Sequence, residues 1–190
     1  MYMAEPPQEP LPYGRWAEAL EERFLEVARD EAEGDLGGIT WYPERTYNGR
    51  TYVPATAPMS EGGEVCGYVS YSREHEGAQA TDFRASAYAT EDTAAENPEW
   101  TLDLNDEEIG HFRGAQGRRG RVTLVWGEAL VPNGAVATAE LGPTTTDQCE
   151  LVDERFTLIS LDAYTGDFVE VHLYASKGAE LAREALYEED

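Results

Sequence analysis

The chain has 190 residues, with 38 Asp and Glu against 14 Lys and Arg, for a formal net charge of −24. Such acidity costs stability by self-repulsion in ordinary buffer. In molar salt the Debye length falls to roughly 3 Å, and the same carboxylates keep the protein hydrated and soluble, so the composition points to adaptation to very high salt. It excludes a large basic surface for nucleic acid, and no apolar run reaches the roughly 18 residues of a membrane span.

In chain order, residues 1–14 hold Pro6, Pro7, Pro10 and Pro12, which keep the backbone extended and oppose helix. The stretch lacks the basic and apolar regions of a secretion signal. Its Tyr2, Met3, Leu11 and Tyr13 leave two readings open, a solvated terminus or an arm that docks on a neighbouring subunit. A helix is predicted from Arg15 to Glu33, with Trp16, Leu20, Phe24 and Val27 at helical spacing and Gly34 as its stop. Strands over Ile39–Tyr47 and Arg50–Thr56 flank Asn48-Gly49, a strong hairpin signal because both turn positions tolerate positive φ. Pro43 and Pro54 place these strands at an edge or interrupt them.

After a loop at Pro58–Glu64, Val65–Ser72 and Asp82–Thr90 read as strands. A turn at Ala94–Glu99 leads into a strand at Trp100–Leu104. A short helix is then expected over Asp106–Gln116, with Asn105 as N-cap, Glu108 in a capping-box position, and Ile109, Phe112 and Ala115 as its apolar face. Arg121–Leu130 and Val136–Leu141 are strands by alternation. Phe156–Tyr164 and Asp167–Tyr174 read as a hairpin across Thr165-Gly166, and Ala179–Tyr187 as a terminal helix. The expected fold is mainly β. It is a small sandwich or barrel with N-terminal, mid-chain and C-terminal helices, built as one domain over 15–190 behind the 1–14 arm.

The residues that could carry chemistry give no catalytic pattern. His75, His111 and His172 lack ligand-like spacing with each other or with Cys66 and Cys149, which are expected as free thiols rather than a disulfide. With 38 carboxylates any two could be named a catalytic pair, so that observation discriminates nothing. Asp103–Glu107 begins like a calcium loop, but Glu108 stands where glycine is required and Gly114 where a bidentate glutamate is required. The glycine-rich run Gly114–Arg121 follows a helix pattern and precedes a strand, the reverse of a phosphate loop. Within it Arg118, Arg119 and Arg121 form a basic cluster in an acidic chain, suited to an inter-subunit contact. The expectation is therefore no enzyme, no cofactor and no metal.

The order strand (Trp100-Thr-Leu-Asp-Leu104), helix (Asp106–Gln116), strand (Arg121-Val-Thr-Leu-Val-Trp126), then Arg155-Phe-Thr-Leu-Ile-Ser-Leu-Asp162 and Asp167-Phe-Val-Glu-Val-His-Leu173, resembles a viral family. These elements look like the small baseplate and hub-associated minor tail proteins of tailed viruses, the lambda-like minor tail protein L group. Asn48-Gly49-Arg50-Thr51-Tyr52 is similar to a segment near that family's start. The resemblance spans residues 45–56 and 100–175. Taken with the acidic composition, it implies a tail or baseplate subunit (hub-associated, tube or connector) of a virus of halophilic archaea, assembled in the host cytoplasm and carried in the virion tail. Its partners would be a homo-oligomeric ring and other tail proteins. Some members hold an iron–sulfur site, but this chain lacks the cysteine cluster, so no cofactor is carried over. The alternative from a different class is a cytoplasmic β-barrel binding protein or hydrolase of a halophile, with an acidic pocket near Trp100, His111 and Trp126.

Overall fold

Trp16, Leu20, Phe24 and Ala28 recur every fourth residue, a spacing that draws one stripe down the side of a helix. In the computed structural model this helix is α1, Ala17–Glu31, with Leu20, Phe24 and Ala28 buried and Trp16 packed beside them. It stops where Ala32 turns extended, the Ala32 N–H still donating to the Ala28 carbonyl at 3.0 Å. The structure describes residues 16–75, 78–114, 117, 119–162 and 169–186. The 1–14 arm with Tyr2, Met3, Leu11 and Tyr13 lies outside these residues, as do Arg118 and the Thr165-Gly166 turn. The chain splits into two compact units, Met1–Ala89 and Thr90–Asp190.

In the first unit α1 packs on a sheet of β1 (Thr40–Trp41), β2 (Arg45–Tyr47), β3 (Arg50–Pro58), β4 (Glu64–Ser72) and β5 (Thr81–Thr90). The order is β1-β3-β4-β5, with β2 also paired to β3. Val53, Ala55 and Ala57 of β3 and Val65, Val69 and Tyr71 of β4 join Leu20, Phe24 and Ala28 in one core. Asn48 and Gly49 turn the chain from β2 to β3 at φ +48° and +76°, as their types require. The strand expected over Ile39–Tyr47 is broken at Pro43. The Pro54 carbonyl accepts from the Tyr42 N–H at 3.0 Å, so the proline nitrogen faces the same side, where β1 and β2 part and no donor is needed. Gly67 of β4 is required by a close approach, since a Cβ there would overlap the Ser86 carbonyl of β5.

The second unit is a sandwich of two sheets. One holds β6 (Leu102–Arg113), β7 (Arg119–Ala129) and β10 (Arg155–Asp162) in the order β10-β7-β6. The other holds β8 (Gly134–Leu141), β9 (Thr144–Glu150), β11 (Val169–Ala175) and β12 (Glu180–Ala185) in the order β12-β11-β8-β9. Leu102, Val125, Phe156 and Leu158 from the first meet Ala137, Ala139, Val169, Val171 and Leu173 from the second. The first, second and fifth strands thus face the fourth, third, sixth and seventh. That is the connectivity of an immunoglobulin-type Greek key, with the fourth strand on the third instead of the fifth. The sheets stay separate rather than closing into a barrel. On one side they are joined by side chains. The Ile159 N–H of β10 donates to Asp147 Oδ2 of β9 at 2.8 Å, and Thr146 and Ser160 hydroxyls meet at 3.4 Å. Asp147 stands where another strand's carbonyl would otherwise be.

The mainly-β expectation agrees with the structure, but only the N-terminal helix of the three forms. Residues 106–113, expected within the mid-chain helix, continue β6. Ile109 is an extra residue between the pairs Glu108↔Thr123 and Gly110↔Val122, a β-bulge that places Ile109 and Phe112 at helix-like spacing without a helix. The terminal helix expected at Ala179–Tyr187 is β12, where pairing with β11 overrides the helix preference of Glu-Leu-Ala-Arg-Glu-Ala. The hairpin expected between the strands at 156–164 and 167–174 also does not form. β10 pairs with β7, whereas β11 pairs with β8 and β12 in the other sheet. The hairpin that does form joins β11 to β12 through Ser176, Lys177 and Gly178, with Gly178 at φ +81°.

Candidate interaction surface

Extending β6 to Arg113 makes it the partner of β7 along its whole length, and the sequence-identified arginines fall at the end of that hairpin. Arg119 opens β7 and is exposed, directly opposite Arg113 of β6, which is also exposed. Arg121 is half-buried opposite His111, and its Nη2 lies 4.0 Å from Asp162 Oδ2 of β10. His111 Nε2 is 3.1 Å from Glu108 Oε1. Gly120 between the two arginines is buried, and a Cβ there would overlap the Phe112 ring and the Asp162 carbonyl oxygen. The ring covers the strand at that point, and the flanking Arg119 and Arg121 fall on its other face, the first exposed and the second half-buried. Arg113 is the member that the sequence did not join to the cluster, because a helix over 106–116 would have separated it from Arg119. Arg118 and the docking-arm residues Tyr2, Met3, Leu11 and Tyr13 lie outside the described residues.

A second polar cluster, unmarked by sequence spacing, sits on the four-stranded sheet. His172 is buried, and its Nδ1 lies 3.2 Å from Glu180 Oε2 of β12. Its Nε2 lies 3.6 Å from Glu170 Oε2 of β11 and 3.8 Å from Glu140 Oε2 of β8. Glu140 Oε1 accepts from the Thr138 hydroxyl at 2.8 Å and the Tyr174 hydroxyl at 3.2 Å. The Tyr174 ring stacks on the imidazole with centroids 6.1 Å apart. Burial first, then the bond to Glu140, pushes the Tyr174 phenol above its ordinary value. The cluster joins side chains of three neighbouring strands through hydrogen bonds and close polar contacts. Only the period-two run Glu170-Val-His172-Leu-Tyr174 hinted at it, since Glu140 and Glu180 come from other strands. Among the described residues, no three His, Cys, Asp or Glu side chains are placed to hold a metal ion.

A groove of about 210 Å³ opens between β6 and β12, lined by Trp100, Leu102, Leu104, Glu184 and Ala185. The pocket considered for the enzyme alternative does not assemble around it. Trp126 is fully buried in β7, and His111 lies roughly 30 Å along β6 from Leu102 at the usual strand rise. Cys66 is buried in β4 with its Sγ 3.5 Å from Glu64 Oε1, Cys149 is half-buried in β9, and neither takes part in a disulfide. The carboxylates of the calcium-like run lie along β6, where the Asp103 carboxyl is raised by burial and by Glu128, its cross-strand partner. Comparison with protein families, curated proteins and solved structures finds no match to this chain.

Proposed function

We propose that this chain is an assembly subunit, whose work is to hold a neighbouring protein in a defined position at very high salt. The observation that carries the reading is the β6–β7 hairpin. Four of the chain's 13 arginines fall between residues 113 and 121, in a protein of net charge −24. Arg113 and Arg119 stand opposite each other across the ladder. Like charges in that position weaken a strand pair, so folding alone gives no reason to place them there. A contact with an acidic partner does. The narrower form of the reading comes from the resemblance to minor tail proteins. It makes the chain a tail or baseplate component of a virus of a halophilic archaeon, working in a homo-oligomeric ring with other tail proteins.

Light scattering on the purified full chain in molar KCl tests the broader reading. A defined oligomer above the monomer mass is expected, and a monomer at every concentration would defeat it. The narrower reading predicts the chain among the tail proteins of purified virions, and its absence from such particles would remove that reading alone.

A further inference from the structure

We infer that the tip of the β6–β7 hairpin docks on the exposed face of α1 in a second copy of this chain. The inference rests on the assembly reading above and names the partner. Its first support is the pairing of charge and spacing. Arg113 and Arg119 are direct cross-strand partners, a position in which Cβ atoms stand roughly 5 Å apart. On α1, Glu18, Glu22, Glu26 and Asp30 follow one another at four-residue intervals and are all exposed. At the rise of an α-helix that sets them about 6 Å apart in a row. Two guanidinium groups at the tip therefore match two successive carboxylates of the row.

Its second support is that neither feature is neutralised by its own fold among the described residues. Like charges four apart on a helix, or opposite one another in a ladder, weaken their element in dilute buffer and add nothing to it in the salt that screens them. Arg23 meets Glu26 at 2.7 Å, but among the described residues Glu18, Glu22 and Asp30 meet no cation. Arg113 and Arg119 likewise meet no carboxylate among the described residues. Arginine is the suitable cation for this contact. With a Debye length of roughly 3 Å in molar salt, attraction beyond contact distance is lost, and planar forked donors keep theirs through paired hydrogen bonds. The tip and α1 are different surfaces, so two copies can exchange the contact reciprocally or pass it on from copy to copy. The first closes a dimer, and the second a ring or a filament.

The test uses two charge-reversed versions of the full chain, Arg113→Glu with Arg119→Glu, and Glu18→Arg with Glu22→Arg. Sedimentation in molar KCl should show self-association weakened roughly tenfold or more in each alone. Mixing the two should restore association between them, which also shows that both are folded. Milder Arg113→Gln with Arg119→Gln should weaken association in the same direction. A mixture that associates no better than either variant overturns the inference, as does unchanged self-association of the variants, and both outcomes leave the assembly reading intact. A monomeric wild-type chain overturns both.

Discussion

The two units solve the burial of a β-sheet in different ways. In the first, a single helix brings a few large side chains to the sheet, and Phe24 meets Trp41 with ring centroids 5.8 Å apart. In the second, sheet lies on sheet, and both contribute to the core, Leu102, Phe156 and Leu158 from one meeting Ala137, Val169, Val171 and Leu173 from the other. The difference locates each unit's weak point. A helix-on-sheet core depends on individual anchors. A sandwich spreads its core, and its vulnerable places are strand edges and charges brought together across the ladder.

Three substitutions test that contrast, from the largest expected effect to the smallest. Phe24→Ala removes the fully buried anchor of α1 and is expected to destabilise by about 3–5 kcal/mol in denaturant unfolding. A loss no greater than about 1 kcal/mol, the size of one methylene's burial, would mean that the first unit does not hinge on that side chain. Asp147→Ala leaves the Ile159 N–H of β10 without its acceptor at the side of the sandwich. A cost of about 1–2 kcal/mol is expected, with faster amide exchange at Ile159. Unaltered exchange there would show that the edge is protected in some other way.

Asp103→Asn has the smallest effect and the opposite sign. Burial and the facing Glu128 hold the Asp103 carboxyl above its ordinary value, so its charged form weakens the folded state at neutral pH. That penalty fades as pH falls through the raised value. The variant should therefore be more stable than wild type near neutral pH, by roughly 1 kcal/mol or less, and the gain should vanish in acid. A gain that persisted in acid would place its origin elsewhere than in charge.

Where the sequence was legible, a local pattern and the tertiary structure asked for the same thing. The four-residue stripe of α1, the Asn48-Gly49 turn and the alternation of Val122, Leu124 and Trp126 in β7 are each complete within a short window. β6 was misread because the bulge at Ile109 shifts the period-two pattern by one, and the shifted spacing matches a helix turn. β12 was misread because its residues prefer helix and only pairing with β11 makes them a strand. The strands β10 and β11 were seen, but alternation states which face is buried and not which strand is the neighbour. The two were joined to each other when they belong to separate sheets.

The candidate surface divides along the same line. Arg119 and Arg121 stood out as basic residues in an acidic chain, whereas Arg113 joins them only through the ladder between β6 and β7. The cluster around His172 stayed hidden because Glu140 and Glu180 reach it from different strands.

The central claim is that the hairpin tip is a working contact, and hydrogen exchange at two protein concentrations in molar KCl tests it most directly. The account predicts that raising the concentration slows exchange at residues 111–114 and 119–121 and along α1, Ala17–Glu31, while the sandwich strands β8 and β11 stay unchanged. Exchange at the hairpin tip and α1 that does not depend on concentration, in a sample shown to be assembled, would contradict it.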